Sequence, residues 1–196
     1  MLDLTGKKLI LGSASPRRKE ILEVLCADFE VDARNSFQEH YKSGTPPHEI
    51  PKILSAGKSH GFHRALEENE ILVTADTVVV CGKEVFGKPH SREEAFSMLK
   101  RLSGCTHEVI TGVTIRDSHR EETFSDTCRV HFAVLDDDEI NNYIDRFRPF
   151  DKAGAYGIQE WIGYAGIEGI SGSFYTVMGL PSHLVYRELK KFVAHR

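Results

Sequence analysis

An α/β fold with a mixed sheet is predicted by two features of this 196-residue sequence. In the first half, short apolar runs alternate with segments whose apolar residues recur at helical spacing, as in parallel βα units. In the second half, two long strand-like segments are separated only by a polar turn, which favours an antiparallel hairpin. A sheet containing both connections is mixed, with helices on its faces.

The first βα unit lies at the start of the chain. Residues Lys8–Leu11 form an apolar run that predicts a buried strand. Apolar residues then fall at helical spacing, and we expect the helix to begin at Pro16 with Ser15 as its N-cap. A second strand is predicted at Phe29–Ala33, followed by a polar loop over Asn35–Pro47.

Later segments complete the predicted sheet and its flanking helices. The predicted helices are about His48–Leu66, Ser91–Leu102, Asp136–Arg146 and Pro181–Val193. The predicted hairpins are Ile71–Phe86, which turns at Cys81–Lys83, and the pair Glu108–Ile115 and Glu122–Val134. The glycine-rich segment Gly154–Gly172 is predicted to be irregular.

Composition restricts the class of protein. A net charge of -4 with no long basic run does not predict nucleic-acid binding, so an anionic partner would have to meet a local basic cluster. The sequence has neither a membrane-length apolar segment nor a signal peptide, and its four cysteines form no C-x-x-C pair. We therefore expect a cytoplasmic protein with no membrane span. Its length suits one domain, or two lobes that share a core.

Small residues and two arginines follow the first strand. The sequence from Gly12 to Arg18 is GSASPRR, so Arg17 and Arg18 fall in the first turn of the predicted helix. Cations there are unfavourable by roughly 0.3–1 kcal/mol each because of the helix dipole, whereas an anion is favoured. A phosphate chain suits both features, since guanidinium groups bind phosphate through paired hydrogen bonds. A plain capped helix with solvated arginines explains the spacing equally well.

Asp76 stands inside the apolar strand segment Thr74–Val78. A buried carboxylate is costly unless it is paired or coordinates a metal, so Asp76 is a candidate general base or metal ligand. A strand-end aspartate that accepts backbone hydrogen bonds is the alternative.

Three lysines lie beside glycine, proline or other small residues, and they are Lys58, Lys88 and Lys152. Taken one at a time, each is predicted to be a solvated surface lysine.

Several short motifs follow one another along nearly the whole chain. They are Ser13–Arg18, Ala75–Val78, Gly87–Pro89, Leu102–Gly104 with Thr106–His107, Thr111–Val113, Asp151–Gln159, and Gly172–Ser173 with Val177–Pro181. Any one of them is weak, but in this order they resemble the Maf family of nucleotide pyrophosphatases. The resemblance covers about Leu9 to Leu189, and it is strongest to the branch that acts on dTTP and UTP.

The resemblance implies roles for the matching residues. Ser13 and Arg18 would hold phosphate, and Asp76 would accept a proton. Lys58 and Lys88 match two lysines of the family and would also take part in catalysis.

A divalent metal, Mg²⁺ or Mn²⁺, is implied as the cofactor. In the family a glutamate in the loop after the second strand helps to hold it, and the match here is Glu39, with Asp76 as the other ligand. Carboxylates suit these ions better than zinc. The histidines are scattered and show no H-E-x-x-H motif.

Substrate choice in the family depends on three positions, which match Arg17, Thr77 and Gln159. All three fit the pyrimidine branch. Thr176 departs from the family pattern, which has asparagine before V-M-G-L-P.

The implied activity is cleavage of a nucleoside triphosphate at the α–β bond into monophosphate and pyrophosphate. The substrates would be dTTP and UTP, with CTP or modified pyrimidine nucleotides as further candidates. The implied protein is a single domain over residues 1–196 with two lobes around a central groove, as in Maf and ITPase proteins, and it forms a homodimer. Two alternatives stay open, namely a nucleotide-binding regulator of cell division without turnover and a sanitising pyrophosphatase for ITP or XTP.

Overall fold

Seven strands of one sheet lie within the part of the chain that the computed structural model describes, residues 2–4, 6–26 and 28–194. In chain order they are β1 (Lys8–Leu11), β2 (Glu30–Val31), β3 (Glu70–Cys81), β4 (Glu84–Phe86), β5 (Thr106–Arg116), β6 (Glu121–Phe132) and β7 (Ile167–Ser171). The helices are α1 (Pro16–Leu25), α2 (Ile50–His60), α3 (Arg92–Leu102), α4 (Asp137–Phe147), α5 (Trp161–Ala165), α6 (Phe174–Met178) and α7 (Ser182–Ala194). A 3₁₀ turn covers Ala153–Ala155.

The sheet is mixed, as the sequence predicts. Its strand order is β2-β1-β3-β5-β6-β7, with β4 also paired to β3. Strand β1 runs parallel to both β2 and β3, whereas the β3–β4 and β6–β7 pairs are antiparallel. Leu9, Ile10 and Leu11 are all buried, which explains why β1 is a continuous apolar run without alternation.

Two compact units are formed from interleaved chain segments. Unit 1 contains Met1–Asp76, Thr111–Asp126 and Gly179–Arg196. Unit 2 contains Thr77–Ile110 and Thr127–Met178. Each unit therefore depends on residues that are far apart in sequence.

Unit 1 is built around β1 and its neighbours. Helix α1 packs against α7. Ile10 and Leu72, which pair across β1 and β3, form a core cluster with Phe62, and Leu66 packs on its edge.

Unit 2 has a different core. Helix α3 packs against α4 and against the 3₁₀ turn at Ala153–Ala155. The rings of His107, Phe132 and Tyr156 meet edge to face, and the imidazole Nε2 lies 2.8 Å from the Tyr156 hydroxyl. Burial lowers the pKa of His107 to about 4, so this histidine is a neutral core residue at pH 7.

Most predicted elements are present, and the starts of α3 and α4 are capped by side chains. Ser91 accepts a hydrogen bond from the Glu94 amide at the start of α3. Asp136 and Glu139 form a capping box at the start of α4. Ser15 does precede α1, but its side chain makes no capping hydrogen bond.

Two predicted boundaries and one predicted irregular segment were wrong. The strand predicted at Phe29–Ala33 has only two residues, Glu30 and Val31. The helix predicted to continue to Leu66 ends at His60, because the chain beyond it turns into a bridge between Phe62 and Asn35. Segment Gly154–Gly172 is not irregular throughout, since it contains α5 and β7.

Strand β7 gives no alternating signal because nearly all of its residues are exposed at the edge of the sheet. Helix α6 has only five residues and was likewise not predicted. In the described residues, no helix combines the length and apolarity that a bilayer crossing requires.

Candidate active site

The loop between β1 and α1 presents Ser13 and two arginines. At Gly12 a Cβ atom would lie 2.8 Å from Thr74 Cγ2, so the chain can pass this close to β3 only without a side chain. The hydroxyl oxygen of Ser13 accepts hydrogen bonds from the Ser15 amide, at 3.3 Å, and from Arg18 Nη1, at 3.2 Å. The serine and the second arginine of this motif therefore act as one local group.

A second nitrogen of the Arg18 guanidinium group contacts the last motif of the chain, Val177–Pro181. The Arg18 Nε donates to the Gly179 carbonyl oxygen at 2.8 Å. Burial lowers the pKa of Arg18, the negative charges of Asp76 and Glu39 oppose that shift, and the neighbouring charge of Arg17 adds to it. Because guanidinium stays protonated at any physiological pH, Arg18 is a fixed positive charge in this region.

Lys58 stands between two carboxylates. Its Nζ contacts Asp76 Oδ1 and lies 2.8 Å from Glu39 Oε1. The lysine comes from α2, the aspartate from β3 and the glutamate from the loop after β2. The Lys58 and Asp76 side chains are 18% and 13% exposed, against 52% for Glu39. The cluster is thus shielded on one side and open to solvent at Glu39.

Two residues in the loop after β2 hold that loop against α2. The Asn35 side-chain amide donates to the Lys58 carbonyl oxygen, and its own oxygen accepts from the Phe37 amide at 2.7 Å. The Phe37 ring covers Gly57, where a Cβ atom would lie only 2.3 Å from ring carbons. Sequence reasoning missed these residues because no pattern shows that Phe37 and Gly57 meet. They fix the backbone from which Glu39 extends.

A chain of mostly buried hydroxyl groups connects α2 to the sheet. Thr74 Oγ1 donates to the Ser55 carbonyl oxygen at 2.8 Å. The Ser55 hydroxyl lies 3.0 Å from Thr114 Oγ1, which in turn lies 2.9 Å from Thr123 Oγ1. Since Ser55 lies one turn before Lys58 and Thr74 lies two residues before Asp76, these bonds set the spacing between the two charged groups.

Glu39 and Asp76 are the residues that could hold a divalent cation. Both oxygens already converge on a single positive charge, the Lys58 ammonium. In residues 2–4, 6–26 and 28–194, no group of three or more His, Cys, Asp or Glu side chains could hold a metal ion. A two-carboxylate site suits Mg²⁺ or Mn²⁺, which commonly take their remaining ligands from water and substrate phosphates.

Three of the predicted site residues, Thr77, Lys88 and Gln159, belong to unit 2. Lys88 is exposed, and the Gly87 carbonyl before it accepts a hydrogen bond from the Gly154 amide at 3.0 Å. Gly154 has a φ of +67°, and a Cβ atom there would lie 2.9 Å from Val79 Cγ2. Thr77 lies two residues before Val79 on β3 and so shares its strand face. The loop of Lys88, strand β3 and the Asp151–Gln159 motif therefore adjoin one another within this unit.

Gln159 has a buried side-chain oxygen. Its Oε1 has no hydrogen-bond partner within the described structure. Its Nε2 lies against Gly157, where a Cβ atom would approach it to 3.0 Å. A buried acceptor without a partner is uncommon and requires an explanation.

The prediction of solvated lysines was right for Lys88 and wrong for the other two. Lys58 is held between carboxylates, and Lys152 is only 7% exposed. Lys152 makes ion pairs with Asp151, at 2.8 Å, and with Glu160, at 3.1 Å. Small neighbouring residues do not indicate exposure here, because they leave room for the lysine stem to pack inside the fold.

Thr176, the departure from the expected motif, is fully buried in α6. Its backbone amide donates to the Ser173 carbonyl oxygen at 3.1 Å. The position therefore lies in the interior and presents no exposed group.

The structure brings together five of the predicted residues in unit 1, namely Ser13, Arg18, Glu39, Lys58 and Asp76. Arg17 belongs to the same group through its charge effect on Arg18. The mixed α/β fold thus carries a serine–arginine loop and a lysine between two carboxylates, and groups of these kinds can bind phosphate and a divalent cation.

The chain belongs to the Maf family, since the sequence model of that family, described as Maf-like protein, matches residues 8–192. A dTTP/UTP pyrophosphatase from Porphyromonas gingivalis is 51% identical over 98% of this chain and 98% of its own length. Proteins with the same name from Parabacteroides distasonis and Bacteroides thetaiotaomicron are 48% and 45% identical, over 97% and 96% of this chain and 98% of each relative.

The fold also occurs in a HAM1 protein from Coxiella burnetii. That structure matches with a TM-score of 0.51 over 94% of this chain and 99% of its own chain, at 10% identity. The likeness concerns the fold alone.

Proposed function

We propose that this chain hydrolyses the nucleoside triphosphates dTTP and UTP at the α–β bond, giving the monophosphate and pyrophosphate. One observation carries the proposal: the Lys58 ammonium lies between the carboxylates of Glu39 and Asp76, in the same unit as the Ser13–Arg18 pair. Relatives at 45–51% identity are named dTTP/UTP pyrophosphatases, which supports the same activity. In this proposal, residues 1–196 form a single domain that carries the activity.

Phosphate binding falls to the cationic groups. Arg18 is preorganised by its bonds to Ser13 and to the Gly179 carbonyl, so little side-chain freedom is lost when a phosphate oxygen binds. We assign Ser13 and Arg18 to the phosphate chain and Lys58 and Lys88 to its neutralisation. Most of the rate enhancement then comes from positioning and charge compensation.

Asp76 is the proposed proton acceptor. Its carboxylate is buried and is held by Lys58, so it has a fixed orientation. A water molecule attacks the α-phosphorus, its proton passes to an Asp76 carboxylate oxygen, and the bond to the bridging oxygen breaks. Pyrophosphate leaves with that oxygen, and the sum of the reaction is addition of one water.

Glu39 and Asp76 are the residues that would hold a divalent cation. When bound, the ion would supply charge neutralisation on the phosphate oxygens. When no ion is bound, Lys58 contacts both carboxylates and keeps them together.

Base recognition is assigned to Arg17, Thr77 and Gln159. The unpartnered Oε1 of Gln159 supports this assignment, because a base that donates a hydrogen bond would satisfy it. CTP and modified pyrimidine nucleotides are further proposed substrates. We also propose that the protein is cytoplasmic and forms a homodimer. Light scattering of the purified chain tests the oligomeric state.

The experiment is a product assay on the purified chain with Mg²⁺ or Mn²⁺. The panel is dTTP, UTP, CTP, ATP, ITP and XTP, and pyrophosphate is distinguished from orthophosphate by chromatography. We expect pyrophosphate with dTTP and UTP as the preferred substrates. Binding without turnover would favour a regulatory protein, and preference for ITP or XTP would favour a sanitising enzyme.

A further inference from the structure

A buried ionic network lies beside Gln159 in unit 2. Lys152 Nζ is 3.1 Å from Glu160 Oε1 and 2.8 Å from Asp151 Oδ1. The Lys152 and Glu160 side chains are both largely buried, whereas Asp151 is exposed. A buried ammonium is costly without a partner, so Glu160 is the group that makes the interior position of Lys152 tenable.

The other oxygen of Glu160 connects to Tyr143. The Tyr143 hydroxyl donates to Glu160 Oε2 and accepts a hydrogen bond from the Gly157 amide at 2.9 Å. The Glu160 amide in turn donates to the Gly157 carbonyl oxygen at 3.0 Å. Both ends of the four-residue turn 157–160 are thus bonded to the same network.

Gln159 lies inside that turn. At Gly157 a Cβ atom would lie 2.9 Å from Glu160 Cδ and 3.0 Å from Gln159 Nε2, so the turn is packed against its own side chains. The Gln159 amide therefore has little freedom, and its buried Oε1 lacks a partner. An unsatisfied amide held this firmly has the character of a preorganised recognition group.

We propose that Lys152, Glu160 and Tyr143 are positioning residues for base selection. Tyr143 and Glu160 clamp the turn 157–160, and Lys152 neutralises Glu160, so that the Gln159 amide stays aligned with the edge of the base. The inference rests on the proposed function, in which Gln159 contacts the base. A displacement of about 1 Å at such a group is enough to weaken selection strongly.

The test is a double-mutant cycle read out as base selectivity. The ratio of kcat/KM for dTTP over dCTP is measured for wild type, Glu160→Gln, Gln159→Ala and the double variant. We expect each single change to lower the ratio about tenfold. For Glu160→Gln the loss should come mainly through KM for dTTP with kcat retained, and the double variant should lose no more than either single variant.

Two further variants keep the test decisive. Tyr143→Phe removes only a hydroxyl and should lower the ratio in the same way, so it replaces Glu160→Gln if that variant does not fold. Asp137→Asn is the matched control in unit 2, because it removes the carboxylate of an exposed ion pair with Lys100 and should leave the ratio unchanged.

The failures of the two proposals are distinguishable. If Gln159→Ala lowers the ratio but Glu160→Gln and Tyr143→Phe do not, the positioning role is wrong and the proposed function stands. Additive losses in the double variant also overturn the positioning role. If Gln159→Ala leaves the ratio unchanged, the assignment of Gln159 to the base is wrong and the inference falls with it.

Discussion

The ammonium group of Lys58 contacts the carboxylate of Asp76. Lys58 extends from α2 and Asp76 from β3, and buried hydroxyl contacts through Ser55 and Thr74 fix the two elements next to each other. The pair therefore has a defined geometry before any substrate binds. Its removal should affect catalysis more than folding.

Replacing Lys58 tests that statement. Lys58→Met should lower kcat by about 100-fold, because it removes one positive charge and releases both carboxylates. Steady-state kinetics with dTTP measures the loss, and thermal unfolding checks the fold. Lys52→Met is the control, since Lys52 lies on the same helix but pairs with Glu49. Equal losses in the two variants would contradict a specific role for Lys58.

Gly57→Ala should be harmful although alanine favours helices by roughly 1 kcal/mol over glycine. The new Cβ atom would lie 2.3 Å from the Phe37 ring, so the loop that carries Glu39 must move. We expect a higher Mg²⁺ concentration for half-maximal activity, measured by metal titration. The double variant Phe37→Ala/Gly57→Ala removes the collision and should recover part of the metal dependence. A single variant with wild-type metal dependence would show that the loop does not position Glu39.

Arg18→Lys should raise KM for dTTP by about tenfold or more. The guanidinium bonds the Gly179 carbonyl with Nε and the Ser13 hydroxyl with Nη1, and a single ammonium cannot reproduce that fork. Lys19→Arg is the control, because Lys19 is exposed and forms an ion pair with Glu23 on the same helix. An unchanged KM in Arg18→Lys would remove Arg18 from the phosphate site.

Glu70 should make stability depend on acidity. Its side chain is only 1% exposed, and two hydrogen bonds from Arg64, at 2.6 and 2.8 Å, lower its pKa from 4.5 to about 2. A carboxyl group whose pKa is lower in the folded state stabilises the fold above pH 4.5, and that stabilisation is lost as the pH falls from 4.5 toward 2. Urea unfolding between pH 7 and pH 3 should show a steeper loss for wild type than for Glu70→Gln. Parallel pH profiles would contradict the assignment.

The parts of the fold that depend on neighbours in sequence could be predicted. The apolar run Lys8–Leu11 identified a buried strand, and Ser91 identified the start of a helix. These features follow from local periodicity and capping, which act over one turn. Strand β7 could not be found this way, because it is exposed and its existence depends on pairing with β6.

The site was predictable only to the extent that its motifs are local or resemble a family. The Ser13–Arg18 contact lies within five residues, whereas the meeting of Lys58 with Glu39 and Asp76 depends on three separate elements. Phe37 and Gly57 gave no signal, and the burial of Lys152 was not expected, because these features come from packing between distant segments. Burial depends on the assembled fold, so short sequence motifs do not reveal it.

Pyrophosphate release from dTTP in the presence of Mg²⁺, compared between wild type and Asp76→Asn, tests the central claim most directly. The amide keeps the size of the aspartate but cannot accept the proton as a carboxylate does. We predict dTMP and pyrophosphate in equal amounts from wild type and a loss of at least about 100-fold in Asp76→Asn. Orthophosphate in place of pyrophosphate, or near-full activity in Asp76→Asn, would contradict the account.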